Sequence, residues 1–594
     1  MRAHLLIQLG LATALALAIT ACSDQASEAE ANAIPSTTMD ADISGASMDS
    51  SDKDRPAPFS VVEASFADMQ AAMADGRITS RAIVEQYLDR IDRYENTLHA
   101  TLAVSDTALA LAEALDRERA AGKVRGPLHG IPVALKDNIH TTDMPTTGGA
   151  LAFKGYTPPY EATLVENLRA AGAIIIAKTT LTELANWVAT GMPNSYNAVR
   201  GYGYNPYDTR QDPREGFNDG RGVMDTGGSS SGIGTAANLW AASVGTETSG
   251  SIAIPANNNM LASIKPTVGR ISRYGIIPIT ADQDTAGPMG KSVADVATLL
   301  AAMESDDKHD AAAGVCQSDS GKNYADHFTI DGLAGARIGI PRAFFYDPFT
   351  PPGSEDALGG LTQAQKAAMD SAIEVLKQQG AIVVENTDIP SVISPDPESN
   401  QLLFGNCFDV GNAKGKDSNC SVILKYGMKR DFNRWLATLG DTAPVKTLTD
   451  LREFNLAHAS QGAIRYGQTQ LDISDEMDAE EDAPRWQADR EKDIRLSRSE
   501  GIDAALQEHS LDALFLPAWF AENIVNKAGY PAVGVPFALV DNTLEPPLPA
   551  GFDPAPIPFG VTFVGTACSE ARLIELAYSF EQATRKRTSP KAFP

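Results

Sequence analysis

Histidine is scarce in this chain, with eight among 594 residues. No motif ties His129, His140 or His458 to a serine, which argues against a serine–histidine–aspartate hydrolase. His129, just before Gly130-Ile131-Pro132, reads as structural. Cysteine is scarcer still: there are five, and Cys316, Cys407, Cys420 and Cys568 lack the Cys-x-x-Cys spacing of zinc or redox sites, so no metal is implied. Positive charge is short as well. Forty-nine lysines and arginines against 76 aspartates and glutamates leave a formal net charge of -27. That balance repels phosphate backbones, so nucleic-acid binding lacks its electrostatic drive and a small or neutral substrate fits better. Long apolar runs are missing too, except Leu5 to Ile19, which is too short for a good spanning helix.

That one run has a meaning of its own. Arg2 precedes it and the small residues Thr20 and Ala21 close it, the pattern of an export signal. Cys22 after Ile19-Thr20-Ala21 resembles the lipobox of bacterial lipoproteins, which implies that Cys22 is lipidated and becomes the first residue of an exported protein held on a membrane surface. Export permits disulfides. Cys407 and Cys420 are the closest pair, although spacing leaves the connectivity open. From Ser23 to Pro58 the chain is rich in Ser, Ala, Asp and Glu and has almost no large apolar residue, so burial cannot offset its ordering entropy. The expected organisation is a signal peptide over 1–21, a lipidated cysteine with a disordered tether over 22–58, and a catalytic domain over 59–594.

In the last segment, short apolar runs alternate with helical ones. Ile131 to Leu135, Ala173 to Ala177, Ile338 to Ile340, Ile382 to Val384, Leu514 to Leu516, Val533 to Val535 and Val561 to Val564 read as buried strands. Ser105 to Ala121, Ala364 to Gln379 and Glu570 to Thr584 read as helices, and the alternation predicts an α/β layer fold. Asn205 to Met224 and Glu545 to Pro558 read as surface loops, and the acidic run Asp472 to Asp482 as a solvated face.

Chemistry concentrates in three segments. Gly227-Gly228-Ser229-Ser230-Ser231-Gly232 and Gly245 to Ile252 are rich in glycine and serine, yet neither carries the lysine that a phosphate-binding loop needs. The third, Gly130-Ile131-Pro132-Val133-Ala134-Leu135-Lys136-Asp137-Asn138-Ile139, ends an apolar run in a lysine. Desolvation there would lower the amine's pKa toward that of a general base. With Ile264-Lys265-Pro266-Thr267-Val268-Gly269-Arg270, Asp284-Thr285-Ala286-Gly287-Pro288-Met289 and Ala528-Gly529-Tyr530-Pro531-Ala532, the three segments resemble the amidase-signature family over roughly Phe59 to the C-terminus.

The resemblance implies an α/β/α sandwich with one large mixed central sheet covered by helices on both faces. It also implies hydrolysis of carboxamides by Ser251 as nucleophile, Ser229 as bridging serine and Lys136 as base, with no cofactor. Backbone N–H groups from Thr248 through Ser249 and Gly250 to Ser251 would form the oxyanion hole. In the family the bridging serine follows a cis peptide bond, here Gly228–Ser229, at a cost of about 3–4 kcal/mol. Glu247 and Asp137 are expected to orient loops.

Two departures narrow the reading. Ser229 lies two residues closer to Ser251 than is common, a shortening expected at an end of the helix near Ile233 to Leu239. The family's Ser-Ile-Arg-x-Pro reads Ser251-Ile252-Ala253-Ile254-Pro255, and the lost arginine points to a neutral or apolar acyl group and to the peptide-amidase-like branch. The expected partners are an amide substrate, water, and a membrane surface reached through Cys22. The alternatives are the glutamine-hydrolysing subunit of a tRNA-dependent amidotransferase and a lipid-anchored binding protein on an inactive hydrolase scaffold.

Overall fold

A computed structural model describes residues 59–594 apart from 229, 305, 317–322, 410–413 and 415. The segments expected to be a signal peptide and a tether, with Cys22 and Ser229, therefore lie outside the described residues. Residues Ser60–Pro594 gather into one compact unit.

Its strands, in chain order, are β1 (Thr101–Val104), β2 (Pro132–Lys136), β3 (Ile174–Thr179), β4 (Tyr196–Asn197), β5 (Gly201–Tyr202), β6 (Ala242–Glu247), β7 (Ala262–Lys265), β8 (Thr285–Gly290), β9 (Arg337–Ile340), β10 (Ile382–Glu385), β11 (Ala513–Pro517), β12 (Ala532–Val540) and β13 (Ile557–Val564). Apart from the small β4–β5 pair, they form one 11-stranded sheet in the order β1-β3-β2-β6-β8-β7-β12-β13-β11-β9-β10. The sheet is mixed: β3, β2 and β6 run parallel, as do β11, β9 and β10, and the ladders between are antiparallel. Every residue of β2, β3 and β6 is buried. That is why β2 and β3 read as continuous apolar runs rather than alternating ones.

Helices pack around this sheet by their apolar stripes. Glu570–Thr584 lies on β12 and β13 and buries Leu573, Ile574, Leu576, Ala577 and Phe580, with the Phe580 ring against Phe515, Phe537 and Phe563. Val293–Met303 lies on β7 and β8, its first turn capped by the Ser292 side chain.

Three expectations need correction. The run Ile382 to Val384 is not a buried strand, since β10 is the sheet's edge and Ile382 is 49% exposed. The acidic run beginning at Asp472 is not simply a solvated face. Asp475 is held between Lys429 and Arg452, and Arg452 also holds Asp472, because carboxylates there neutralise cations at a helix packing seam. The stretch Asn205 to Met224 is an ordered, ion-paired segment rather than a plain surface loop. Asp208–Arg210, Asp212–Arg214 and Asp219–Arg221 form three ion pairs at the same two-residue spacing. Arg214 then donates to the carbonyl of Pro546 and Arg210 to that of Asp553, stapling this segment to the Pro-rich stretch near the C-terminus.

Candidate active site

The parallel pairing of β2 with β6 sets Leu135 beside Val244 and so brings the end of β2 to the end of β6. Lys136, the last residue of β2, is fully buried. Its Nζ donates to Thr246 Oγ1 at 2.9 Å and to the Thr246 carbonyl at 3.2 Å, both neutral acceptors on β6. Asn138 Nδ2 shares the same hydroxyl at 2.9 Å. Burial pushes the Lys136 amine down to about 7, with the more distant charges of Asp284 and Glu247 acting the other way.

Beyond β6 the chain turns through Thr248-Ser249-Gly250 to Ser251, and side chains fix each end of the turn. Glu247 accepts from the backbone N–H groups of Ile252 (2.6 Å) and Ala253 (2.9 Å), anchoring the first turn of the helix Ala253–Asn258. Thr248 Oγ1 donates to Asp284, whose other oxygen accepts from the N–H groups of Ile279 (2.9 Å) and Thr280 (3.0 Å). Gln283 Nε2 holds the Thr248 carbonyl at 3.0 Å. Burial raises the Asp284 carboxyl to about 7.

Two glycines are required by close approach. A Cβ on Gly228 would stand 2.7 Å from Ser251 Oγ, and a Cβ on Gly250, which has φ +86°, would stand 2.0 Å from Glu522 Oε2. Gly228 is tied to the neighbouring loop by the Thr182 N–H, which donates to its carbonyl at 3.1 Å. Ser251 keeps 9% of its surface accessible. Among the described residues, the N–H groups of Ser249, Gly250 and Ser251 form no hydrogen bond.

Of the residues singled out in the sequence, Lys136, Thr248, Ser249, Gly250 and Ser251 thus sit at the adjacent ends of β2 and β6, with Gly228 against Ser251. Ser229 lies outside the described residues, and with it the bond expected to be cis. The helix after it, Gly232–Ala236, has five residues and ends before Asn238, which adopts a left-handed φ of 55°. Asp137 orients a loop by accepting from the Thr147 N–H at 2.9 Å while it pairs with Lys178. His129 is buried, with Nε2 3.0 Å from the Leu115 carbonyl. His140 is held neutral by burial, its pKa near 3, and accepts from Trp435 Nε1. Sequence reasoning missed Thr246, Asn138 and Glu522. The first two stand inside the quoted motifs, while nothing in the sequence links Glu522 to Gly250.

One group of described residues has ligand atoms close enough for a metal, Cys407, Asp417 and Cys420. Its donors are already used. The two sulfurs form a disulfide and Asp417 pairs with Lys425 at 2.7 Å. A second disulfide, Cys316–Cys568, spans 252 residues of sequence and was not legible there.

The amidase family profile matches residues 82–574. The chain belongs to the amidase family. It is 33% identical over 545 residues to the probable amidase At4g34880 of Arabidopsis thaliana, covering 90% of this chain and 92% of that one. The crystal structure of a peptide amidase from Stenotrophomonas maltophilia superposes with a TM-score of 0.74 at 34% identity, over 90% of this chain and 99% of that one. A glutamyl-tRNA(Gln) amidotransferase chain from Chloroflexus aurantiacus is 38% identical, but over 319 residues only, 53% of this chain and 58% of that protein. This amidase is therefore an amide-hydrolysing α/β enzyme built on one large mixed sheet.

Proposed function

We propose that the enzyme hydrolyses primary amides or the C-terminal amides of peptides through Ser251, Ser229 and Lys136 and an acyl-enzyme intermediate. One observation carries this reading: Lys136 is a fully buried amine whose hydrogen-bond acceptors among the described residues are all neutral, poised near 7, at the end of the strand beside the one that leads to Ser251. A serine hydroxyl is a weak nucleophile until a base takes its proton, and an amine kept neutral at working pH is such a base.

In this mechanism the neutral Lys136 draws the Ser251 proton through the Ser229 hydroxyl, and Ser251 Oγ bonds to the amide carbonyl carbon. The oxyanion meets the free N–H groups of Ser249, Gly250 and Ser251 with that of Thr248. Each such donor is worth about a hundredfold to a thousandfold in rate. As the C–N bond breaks, the proton returns to the nitrogen, which leaves as ammonia or an amine. Water, deprotonated along the same relay, then attacks the acyl ester and releases the acid and Ser251. Gly228 lying flush against Ser251 Oγ supports Ser229 as the relay.

The name of the solved peptide amidase supports peptide amides as substrates. Glutamine hydrolysis for a tRNA-dependent partner fits less well, because Ala253 replaces the arginine that would hold a carboxylate. We further propose export and lipidation at Cys22, supported by the run Leu5 to Ile19 and its closing Ile19-Thr20-Ala21-Cys22. No helix among the described residues is long and apolar enough to cross a membrane.

A screen of primary amides, peptide amides and anilides, read by ammonia or amine release, tests the activity. The wild-type protein should release product and Ser251→Ala should not; equal release by both overturns the reading. Fluorophosphonate labelling that is lost in Lys136→Ala supports the hydrolase, whereas no labelling of the wild type favours an inactive binder.

A further inference from the structure

The turn from Thr248 to Ser251 is held at both ends by conventional hydrogen bonds. Glu247 accepts from the N–H groups of Ile252 and Ala253, and Asp284 accepts from the Thr248 hydroxyl. Its middle is held differently. A Cβ on Gly250 would stand 2.0 Å from Glu522 Oε2 and 2.7 Å from Ile254 Cδ1, so the Cα hydrogen that a side chain would replace points at the carboxyl oxygen. That is the geometry of a Cα–H···O contact.

Gly250 needs such a support. A side chain there would collide, and φ is +86°, yet a glycine backbone is also the freest to turn. The N–H groups of Gly250 and Ser251 lie on either side of its two soft torsions, so their aim follows the φ and ψ of Gly250. Glu522 comes from a fixed element. It opens the helix Glu522–Ala528, and its carbonyl accepts from Asn526 Nδ2 at 2.8 Å. The helix is tied down by the fully buried Lys527–Asp493 pair at 2.6 Å, and by Arg490 and Arg498, which donate to the carbonyls of Lys527 and Ala528, each at 2.7 Å.

A carboxyl in this place calls for a reason. Glu522 Oε2 is cut off from solvent and has no hydrogen-bond partner among the described residues, a cost that an apolar side chain filling the same space would avoid. Burial, reinforced by Glu247, holds the group protonated, so it brings an oxygen to Gly250 without setting a negative charge beside the turn.

We propose that Glu522 is a positioning residue for the reaction at Ser251: through its contact with Gly250 it fixes the backbone of the turn, so that the N–H groups of Gly250 and Ser251 stay aimed at the oxyanion. This rests on Ser251 as the nucleophile and on the turn as the oxyanion hole. Glu522 acts through Gly250 and exchanges no proton with the substrate.

A fluorophosphonate probe reads this aim, because Ser251 Oγ displaces fluoride at phosphorus while the phosphoryl oxygen takes the place of the oxyanion. Glu522→Ala should lower the maximal labelling rate by about 10- to 100-fold, less than outright loss of a donor, with the half-saturating probe concentration little changed. Glu522→Gln, which keeps an uncharged oxygen for Gly250, should label near the wild-type rate. Gly250→Ala/Glu522→Ala should be no slower than Gly250→Ala alone, because both substitutions act on one backbone position. Should Glu522→Ala fail to fold, Glu522→Asp, which draws the carboxyl back by one methylene, takes its place with the same expectation. Wild-type labelling by Glu522→Ala or Glu522→Asp overturns the proposal, as does a Glu522→Gln enzyme as slow as Glu522→Ala, or a loss confined to probe affinity. The hydrolase reading fails separately: it falls if Ser251→Ala labels like the wild type, whereas Ser251-dependent labelling that is indifferent to Glu522 defeats this inference alone.

Discussion

Lys136 and Lys178 close neighbouring parallel strands one register step apart, Lys136 opposite Thr179 and Lys178 opposite Leu135. Both are fully buried. They differ in what meets the amine. Lys178 Nζ lies 3.2 Å from Asp137 Oδ1 and donates to Thr146 Oγ1 and the Pro145 carbonyl, so a carboxylate works against its desolvation. Among the described residues, Lys136 Nζ meets only the hydroxyl and carbonyl of Thr246. Equal burial thus meets two surroundings: Lys178 has a carboxylate that opposes the lowering of its amine, and Lys136, with no carboxylate in contact among the described residues, is brought down to about 7. Lys265 extends the series. Among the described residues it meets only the carbonyls of Pro266 and Tyr530, and burial brings it down to about 8.

Exchanging the two lysines for uncharged residues should separate these roles most sharply. Lys136→Ala is expected to lower kcat by about 10⁴- to 10⁶-fold, the range for losing a member of a catalytic unit, with its urea unfolding curve still cooperative. Lys178→Met leaves Asp137 buried and unpaired, which should cost about 3–5 kcal/mol of stability while the folded fraction keeps its turnover. Active-site titration beside urea denaturation distinguishes the two. A folded Lys178→Met enzyme as inactive as Lys136→Ala would erase the distinction.

The pH dependence is the next largest effect. Since neutral Lys136 is the active form, kcat/KM should fall about tenfold per pH unit below about 7 and level off above it. Stability carries the matching sign. The folded amine has a lower pKa than the unfolded one, so the unfolded chain binds its proton more tightly, and this group's contribution weakens as pH falls from about 10 to about 7. A kcat/KM that rises on acidification through pH 7 would mean that Lys136 acts as an ammonium.

How much of this was legible in sequence depended on which force set each element. Ile131 to Leu135 could be read because a strand buried on both faces must be apolar along its length, and the lysine ending it was legible as a desolvated amine, which its full burial bears out. β6 and β8 could not. Ala242–Glu247 and Thr285–Gly290 are built of small residues that imitate turns, yet both are buried strands; small size is what lets neighbours approach, since a Cβ on Gly287 would come 2.3 Å from the Ile264 carbonyl. The stretch Asn205 to Met224 was misread because its Asp-x-Arg pairs are ordinary charged residues until the fold supplies Pro546 and Asp553 as partners. Glu522 was invisible for a related reason. Its contact with Gly250 joins residues far apart in sequence, and no local pattern encodes it.

Thr246 offers the finest adjustment of the comparison. Its Oγ1 accepts from both Lys136 Nζ and Asn138 Nδ2, and an acceptor on the amine favours the charged form. Thr246→Val keeps the shape and removes that acceptor. The buried amine then loses one of its two neutral partners, at a cost of about 1–3 kcal/mol in stability. Its pKa should fall further, so the acid limb of the pH–rate profile should move below about 7, and the plateau should drop as the amine loses an orienting contact. Should the limb move upward instead, Thr246 would be restraining protonation rather than favouring it, and hydrogen bonding rather than desolvation would be what separates Lys136 from Lys178.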